Sequence, residues 1–143
     1  MTQPRKQLIS TADTPYYHCV SRSVRRAFLC GTDTVTGQSY EHRRQWLEDR
    51  IHLLSAIFAI DICAYSVMIN HYHLVVKLNA SDEWSDQMVL DRWLILYKGP
   101  LLVQRYYKGE TLSKVEQEAV SQIINVWRQR LQNLSWFIPI GHK

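Results

Sequence analysis

The pattern His71-Tyr72-His73 sets two imidazoles one residue apart in the run YSVMINHYHLVVKL, Tyr65 to Leu78, between Asn70 and a string of β-branched residues. In an extended strand residues i and i+2 share a face, so His71 and His73 project together while Tyr72 and Leu74 point the other way. If Leu74, Val76 and Leu78 go to the core, the two histidines and Lys77 face the open side. Two imidazoles so placed can chelate one divalent ion beside a cation. They do not close a metal shell, which takes a third protein ligand or substrate oxygens and water. Asp61 on the preceding strand is a candidate third donor, although its distance from the turn argues against direct ligation. His142 is another imidazole, but it sits in a terminal tail of the kind that frays. A competing reading makes the pair a half-exposed polar strand face, and HxH alone does not decide between the two.

A second chemistry-bearing stretch lies upstream. Between Thr14 and Thr32 there is no acid, while Arg22, Arg25 and Arg26 fall close together. They are either phosphate contacts or arginines that solvate an exposed loop after a strand. Tyr16, Tyr17 and His18 offer flat faces for stacking bases, or for packing in a core. Over the whole chain 17 Lys and Arg oppose 13 Asp and Glu, for a charge of +4. This is a mild bias toward polyanions. Cys19, Cys30 and Cys63 form no CxxC pair and are odd in number, so they read as reduced, mostly buried thiols rather than a zinc knuckle or disulfide framework.

The elements that must position these residues follow from periodicity. PYYHCVSR, Pro15 to Arg22, reads as a first strand, and CGTDTVTGQSY, Cys30 to Tyr40, as a loop. From Glu41 to Ala59, Trp46, Leu47, Ile51, Leu54, Ile57 and Phe58 recur at helical spacing. Ile60 to Met68 and His71 to Leu78 form a hairpin about Ile69-Asn70. Ser81 or Ser85 caps a helix over Met88 to Leu96, Gly99-Pro100 ends it, and Leu101 to Tyr107 is a short helix or strand. Ser113 with Glu116 is a capping box opening a last helix whose stripe is Val115, Ala119, Ile123, Val126, Trp127, Leu131 and Leu134, reaching about Phe137. Trp46, Trp127 and Trp136 read as core. With 143 residues the chain predicts one α+β domain over 1–143, an antiparallel sheet with helices on one face. Residues 1–13 are expected as a loosely ordered arm and 79–112 as an irregular insertion.

PYYHCVSR, the basic segment after it, the helix and AYSVMINHYHLVVKL together resemble the REP-associated tyrosine transposases and their insertion-sequence relatives, single-tyrosine enzymes of the HUH class. The resemblance covers Thr14 to Leu78, and the LSWF stretch at Leu134 to Phe137 more loosely. It implies a ferredoxin-like sheet with an extra C-terminal helix, His71 and His73 as the pair holding Mg²⁺ or Mn²⁺, and single-stranded or hairpin DNA as partner. It implies strand cleavage and transfer through a phosphotyrosine; beside that pattern, the acid-free stretch makes Arg22, Arg25 and Arg26 expected DNA contacts, with Lys77 on the histidine face as a further one. Relatives occur as homodimers and as monomers, and both stay open.

The resemblance also implies a nucleophilic tyrosine on a helix C-terminal to the histidines. Ile138 to Lys143 contains Pro139 and Gly141, which oppose a helix, so the expectation is a truncated member lacking that residue. Tyr97, Tyr106 and Tyr107 are the remaining downstream tyrosines, read as packing or surface aromatics. Two alternatives stand beside the transposase-like reading: a nucleic-acid-binding module without chemistry, and a small metal-dependent hydrolase. The N-terminus lacks a secretion signal and no apolar run is long enough to span a bilayer, so no membrane partner and a cytoplasmic location are expected.

Overall fold

The structure, a computed structural model, describes residues 14–22 and 30–137. Within them strand β1 spans Tyr16–Arg22, helix α1 Glu41–Ile57, β2 Ile60–Val67 and β3 His71–Leu78. Helices α2 (Asp86–Leu96), α3 (Leu101–Tyr107), α4 (Lys114–Arg130) and α5 (Leu134–Phe137) follow. The strands form an antiparallel sheet in the order β1-β3-β2, so β3 is central and β1 and β2, joined across it through α1, run parallel to each other. This is a mixed α+β arrangement.

Alternation on β3 decides which face is covered. Tyr72, Leu74 and Val76 are buried, while His71, His73, Val75 and Lys77 are half-buried on the other side. The buried three join one cluster with Leu47, Ile51, Leu54 and Ile57 of α1, Val89, Leu90 and Trp93 of α2, and Val120, Ile124 and Trp127 of α4. The described helices therefore pack on the Tyr72 face. Each side chain fully buried there contributes roughly 1.5–3 kcal/mol of transfer free energy.

Several boundaries differ from the sequence expectation for local reasons. Within 79–112, expected as an irregular insertion, the helix expected over Met88 to Leu96 is present as α2 and Leu101–Tyr107 is a helix, α3. Ser85 caps α2 by accepting from the Met88 N–H, whereas Ser81 is buried, donating to the Arg128 carbonyl at 2.6 Å. Gly99 turns the chain between α2 and α3 at φ +76, where a Cβ would stand 3.0 Å from Trp127. The last helix does not run unbroken to Phe137. The Leu131 carbonyl accepts from Ala59 and the Asn133 side chain accepts from the Ser135 N–H, which splits α4 from α5. Both hydrogen bonds of the Ser113–Glu116 capping box are present.

Burial also corrects three groups of side chains. Trp46 is 55% exposed and lies off the α1 stripe, whose buried positions are Leu47, Ile51, Leu54 and Ile57. On α4 the buried stripe is Val120, Ile124 and Trp127; Val115 and Val126 face outward. Of the three free cysteines only Cys30 is buried, while Cys63 is exposed at a bulge between Ile62 and Ala64. The 1–13 arm lies outside the described residues.

These assignments give a paired stability test. Leu131→Ala, at a fully buried site, is expected to lower unfolding free energy by about 2–5 kcal/mol, and Trp46→Ala to change it by less than about 0.5 kcal/mol. Urea denaturation of both variants measures the difference; equal losses would contradict the burial pattern.

Candidate functional site

The open face of the sheet is built from alternate residues of three strands. Along β1, Val20 stands opposite His73 and His18 opposite Val75; along β2, Ser66 stands opposite His73. The histidine pair thus sits on the central strand, one residue beyond a tight turn. That turn is held from three directions. The Met68 N–H donates to the His71 carbonyl at 2.8 Å, Arg44 of α1 donates to the Val67 carbonyl at 2.8 Å, and the Cys30 N–H reaches the Ile69 carbonyl at 3.4 Å. Gly31, at φ +83, lies so close to Ile69 that a Cβ would stand 3.0 Å from its Cγ1. The 30–40 loop is therefore a backstop for the turn that presents His71. Burial pushes the Cys30 thiol pKa up, so that residue packs rather than reacts.

His71 and His73 have ring centres 5.1 Å apart at 72°. The Nδ1 of His71 lies 2.7 Å from Asn70 Oδ1. An amide oxygen only accepts, so this contact needs a proton on Nδ1 and leaves a lone pair on Nε2. The Nδ1 of His73 lies 3.0 Å from Nε2 of His18, which reaches across from β1. Each His of the pair thus has its Nδ1 engaged by a polar neighbour among the described residues. His18 was visible in the sequence only as a flat aromatic face. Its place beside His73 depends on a cross-strand register that a single sequence does not encode.

The other sequence candidates separate into those on this face and those elsewhere. Lys77 lies on the same face of β3, opposite Tyr16 and Asp61 in register. Asp61 accepts from the Asn79 amide at 2.9 Å. It stands four ladder positions from His73, about 13 Å along the strand, too far to share an ion with it. Arg22 closes β1 opposite His71 in the backbone register; its side chain, together with Arg25, Arg26 and His142, lies outside the described residues. Among the described residues no three His, Cys, Asp or Glu side chains are grouped to hold a metal ion. Side by side on this face the described residues offer two imidazoles, those of His71 and His73.

The downstream tyrosines sit in the helical layer. Tyr97 stacks on Trp93 at 4.5 Å and meets Trp136 edge-on. Tyr106 and Tyr107 end α3, and the Tyr107 hydroxyl donates to the Asp91 carboxylate at 2.7 Å. That bond, followed by desolvation, raises the Tyr107 pKa above its ordinary 10.0, opposite to what an activated nucleophile needs. No described helix is long and apolar enough to cross a membrane. Comparison with protein-family models, curated proteins and solved structures finds no match for this chain.

The Tyr107–Asp91 bond can be checked by alkaline titration. The absorbance difference between the wild-type protein and Tyr107→Phe is expected to appear above the ordinary phenol range, and Asp91→Asn to bring it back down. Because the folded pKa is raised, the bond's contribution to stability is full below the ordinary phenol pKa and is lost as pH rises through the raised value. A Tyr107 titration unaffected by Asp91→Asn would contradict the contact.

Proposed function

We propose that this chain is a transposase-like DNA-binding domain of the HUH class, which takes single-stranded or hairpin DNA on the open face of its sheet together with a divalent ion. One observation carries the reading. His71 and His73 stand side by side, half-buried, on the central strand and on the face that the described helices leave open. Two supports accompany it. The order β1, α1, β2, β3, α2 matches the first five elements of the β-α-β-β-α-β series, and we extend the fold reading to ferredoxin-like on that basis. Tyr16 and Val20, 51% and 47% exposed, give this face apolar and aromatic surface beside Lys77, a combination suited to stacked bases and a phosphate backbone.

The donor set fits a hard or intermediate divalent ion that keeps most of its shell for water and phosphate oxygens, with His71 and His73 as the protein ligands. Bound there, Mg²⁺ or Mn²⁺ would supply Lewis-acid polarisation of a phosphoryl oxygen. The residues themselves fix position: the turn holds the imidazoles, and Lys77 offsets phosphate charge further along the strand. Arg22, Arg25 and Arg26 extend that phosphate contact in this reading. The packing of Tyr97 and the Asp91-bound hydroxyl of Tyr107 favour a second reading, binding without strand cleavage by these tyrosines.

The test is fluorescence anisotropy with labelled hairpin and single-stranded oligonucleotides over a salt series. Binding is expected to weaken steeply with salt, Lys77→Gln to reduce the slope magnitude by about one, and Mn²⁺ to tighten binding by wild type but not by His71→Ala. Absence of binding at low salt, or an Mn²⁺ effect that persists in His71→Ala, would sink the proposal. Covalent transfer of label to protein that disappears in Tyr97→Phe, Tyr106→Phe or Tyr107→Phe would overturn the second reading.

A further inference from the structure

We propose that His18 is a positioning residue for His73: its Nε2 accepts a hydrogen bond from Nδ1–H of His73 and thereby holds the His73 Nε2 lone pair outward as a metal ligand. The inference rests on the metal-binding reading of the pair and deepens it. Its basis is the relative placement of two rings on different strands.

The two nitrogens are 3.0 Å apart, and the ring centres are 5.2 Å apart with planes at 16°. A ring nitrogen lies about 1.1 Å from the centre of its imidazole, so two such half-widths and the 3.0 Å contact account for nearly the whole separation. The nitrogens therefore point straight at each other. The rings meet edge to edge, nearly coplanar, rather than lying one over the other, which is the geometry of a linear N–H···N hydrogen bond.

The same numbers argue against His18 as a third ligand. Two nitrogens 3.0 Å apart that shared one ion at about 2.1 Å would aim at the ion, not at each other. Their ring centres would then close to about 4.6 Å on the same bond lengths. The observed 5.2 Å is longer than that. It agrees with the absence, among the described residues, of any three-donor group suited to a metal.

The direction of the bond follows from the task of each ring. A neutral imidazole has one N–H and one lone pair, and a ligating nitrogen must offer the lone pair. For His71 the Asn70 oxygen already places the proton on Nδ1. For His73 to offer Nε2 on the same face, its proton must likewise sit on Nδ1, and His18 Nε2 is the atom there to accept it. His18 must then carry its own proton on Nδ1. Each ligand would thus have its own hydrogen-bonded support, an amide oxygen for one and an imidazole for the other, as second partners of metal-bound histidines commonly do. Removing such a partner typically weakens metal binding by roughly 10–100-fold.

The experiment reads tautomers and affinity separately. Imidazole ¹⁵N NMR of the metal-free protein at mildly alkaline pH is expected to show His71 and His73 both protonated on Nδ1. His18→Phe, which keeps a ring but removes the acceptor, is expected to return His73 to the Nε2–H form and leave His71 unchanged. Mn²⁺ titration by EPR is expected to show at least roughly tenfold weaker binding for His18→Phe and partial recovery for His18→Gln, whose amide oxygen can accept. Backbone amide spectra report that both variants remain folded. A wild-type His73 protonated on Nε2, or Mn²⁺ affinity unchanged in His18→Phe, would overturn the assignment. So would equal abolition by Phe and Gln, which marks a direct ligand. Failure of wild type to bind Mn²⁺ would overturn the metal reading, and is told apart from failure of the positioning claim because the tautomer is read without metal.

Discussion

The antiparallel ladder of β3 between β1 and β2 is the constraint from which the rest follows. A central strand must alternate, and here one set of alternate residues, Tyr72, Leu74 and Val76, is committed to the buried cluster under the helices. Shifting the register by one residue would expose those side chains and bury two imidazoles and an ammonium without partners, a cost of several kcal/mol on both counts. The hydrophobic core thus fixes the histidines on the open face. It does so without any contribution from the site's own hydrogen bonds.

What the ladder does not fix, the surroundings of the turn do. Arg44 ties α1 to the end of β2, and the Cys30 amide and the close approach of Gly31 support Ile69. These contacts anchor the turn beside His71, while His18 steadies the ring two residues on. The helical layer is assembled differently, from Trp93, Trp127, Tyr97 and Trp136 packed together, with Arg130 over the Trp136 ring at 4.2 Å. Tyr97 is taken up by that packing and the Tyr107 hydroxyl by the Asp91 bond, while Tyr106 is exposed. The two layers therefore do separate work: one closes the core and the other presents polar chemistry.

Much of this was legible because it is local. The HxH period, the hairpin, helix α1 and the Ser113 capping box each depend on residues a few positions apart, and they appear in the structure with boundaries close to those read from sequence. Width of a helical stripe is harder to read. Trp46 and Val115 satisfy a three- or four-residue spacing yet face outward, because only about a third of a helix can touch a sheet or neighbour. The split between α4 and α5 is not legible in the local sequence because the Leu131 carbonyl finds its partner at Ala59, far away in the chain. His18 is the same kind of case: its chemistry comes from Val20 standing opposite His73, a pairing made across 53 positions of sequence.

The most direct measurement is the anomalous-scattering map of a crystal grown with Mn²⁺. The account expects a peak on the open face of the sheet, within coordination distance of Nε2 of both His71 and His73, with His18 bonded to His73 and outside that distance. An ion held elsewhere, or one bound through His18, would contradict it.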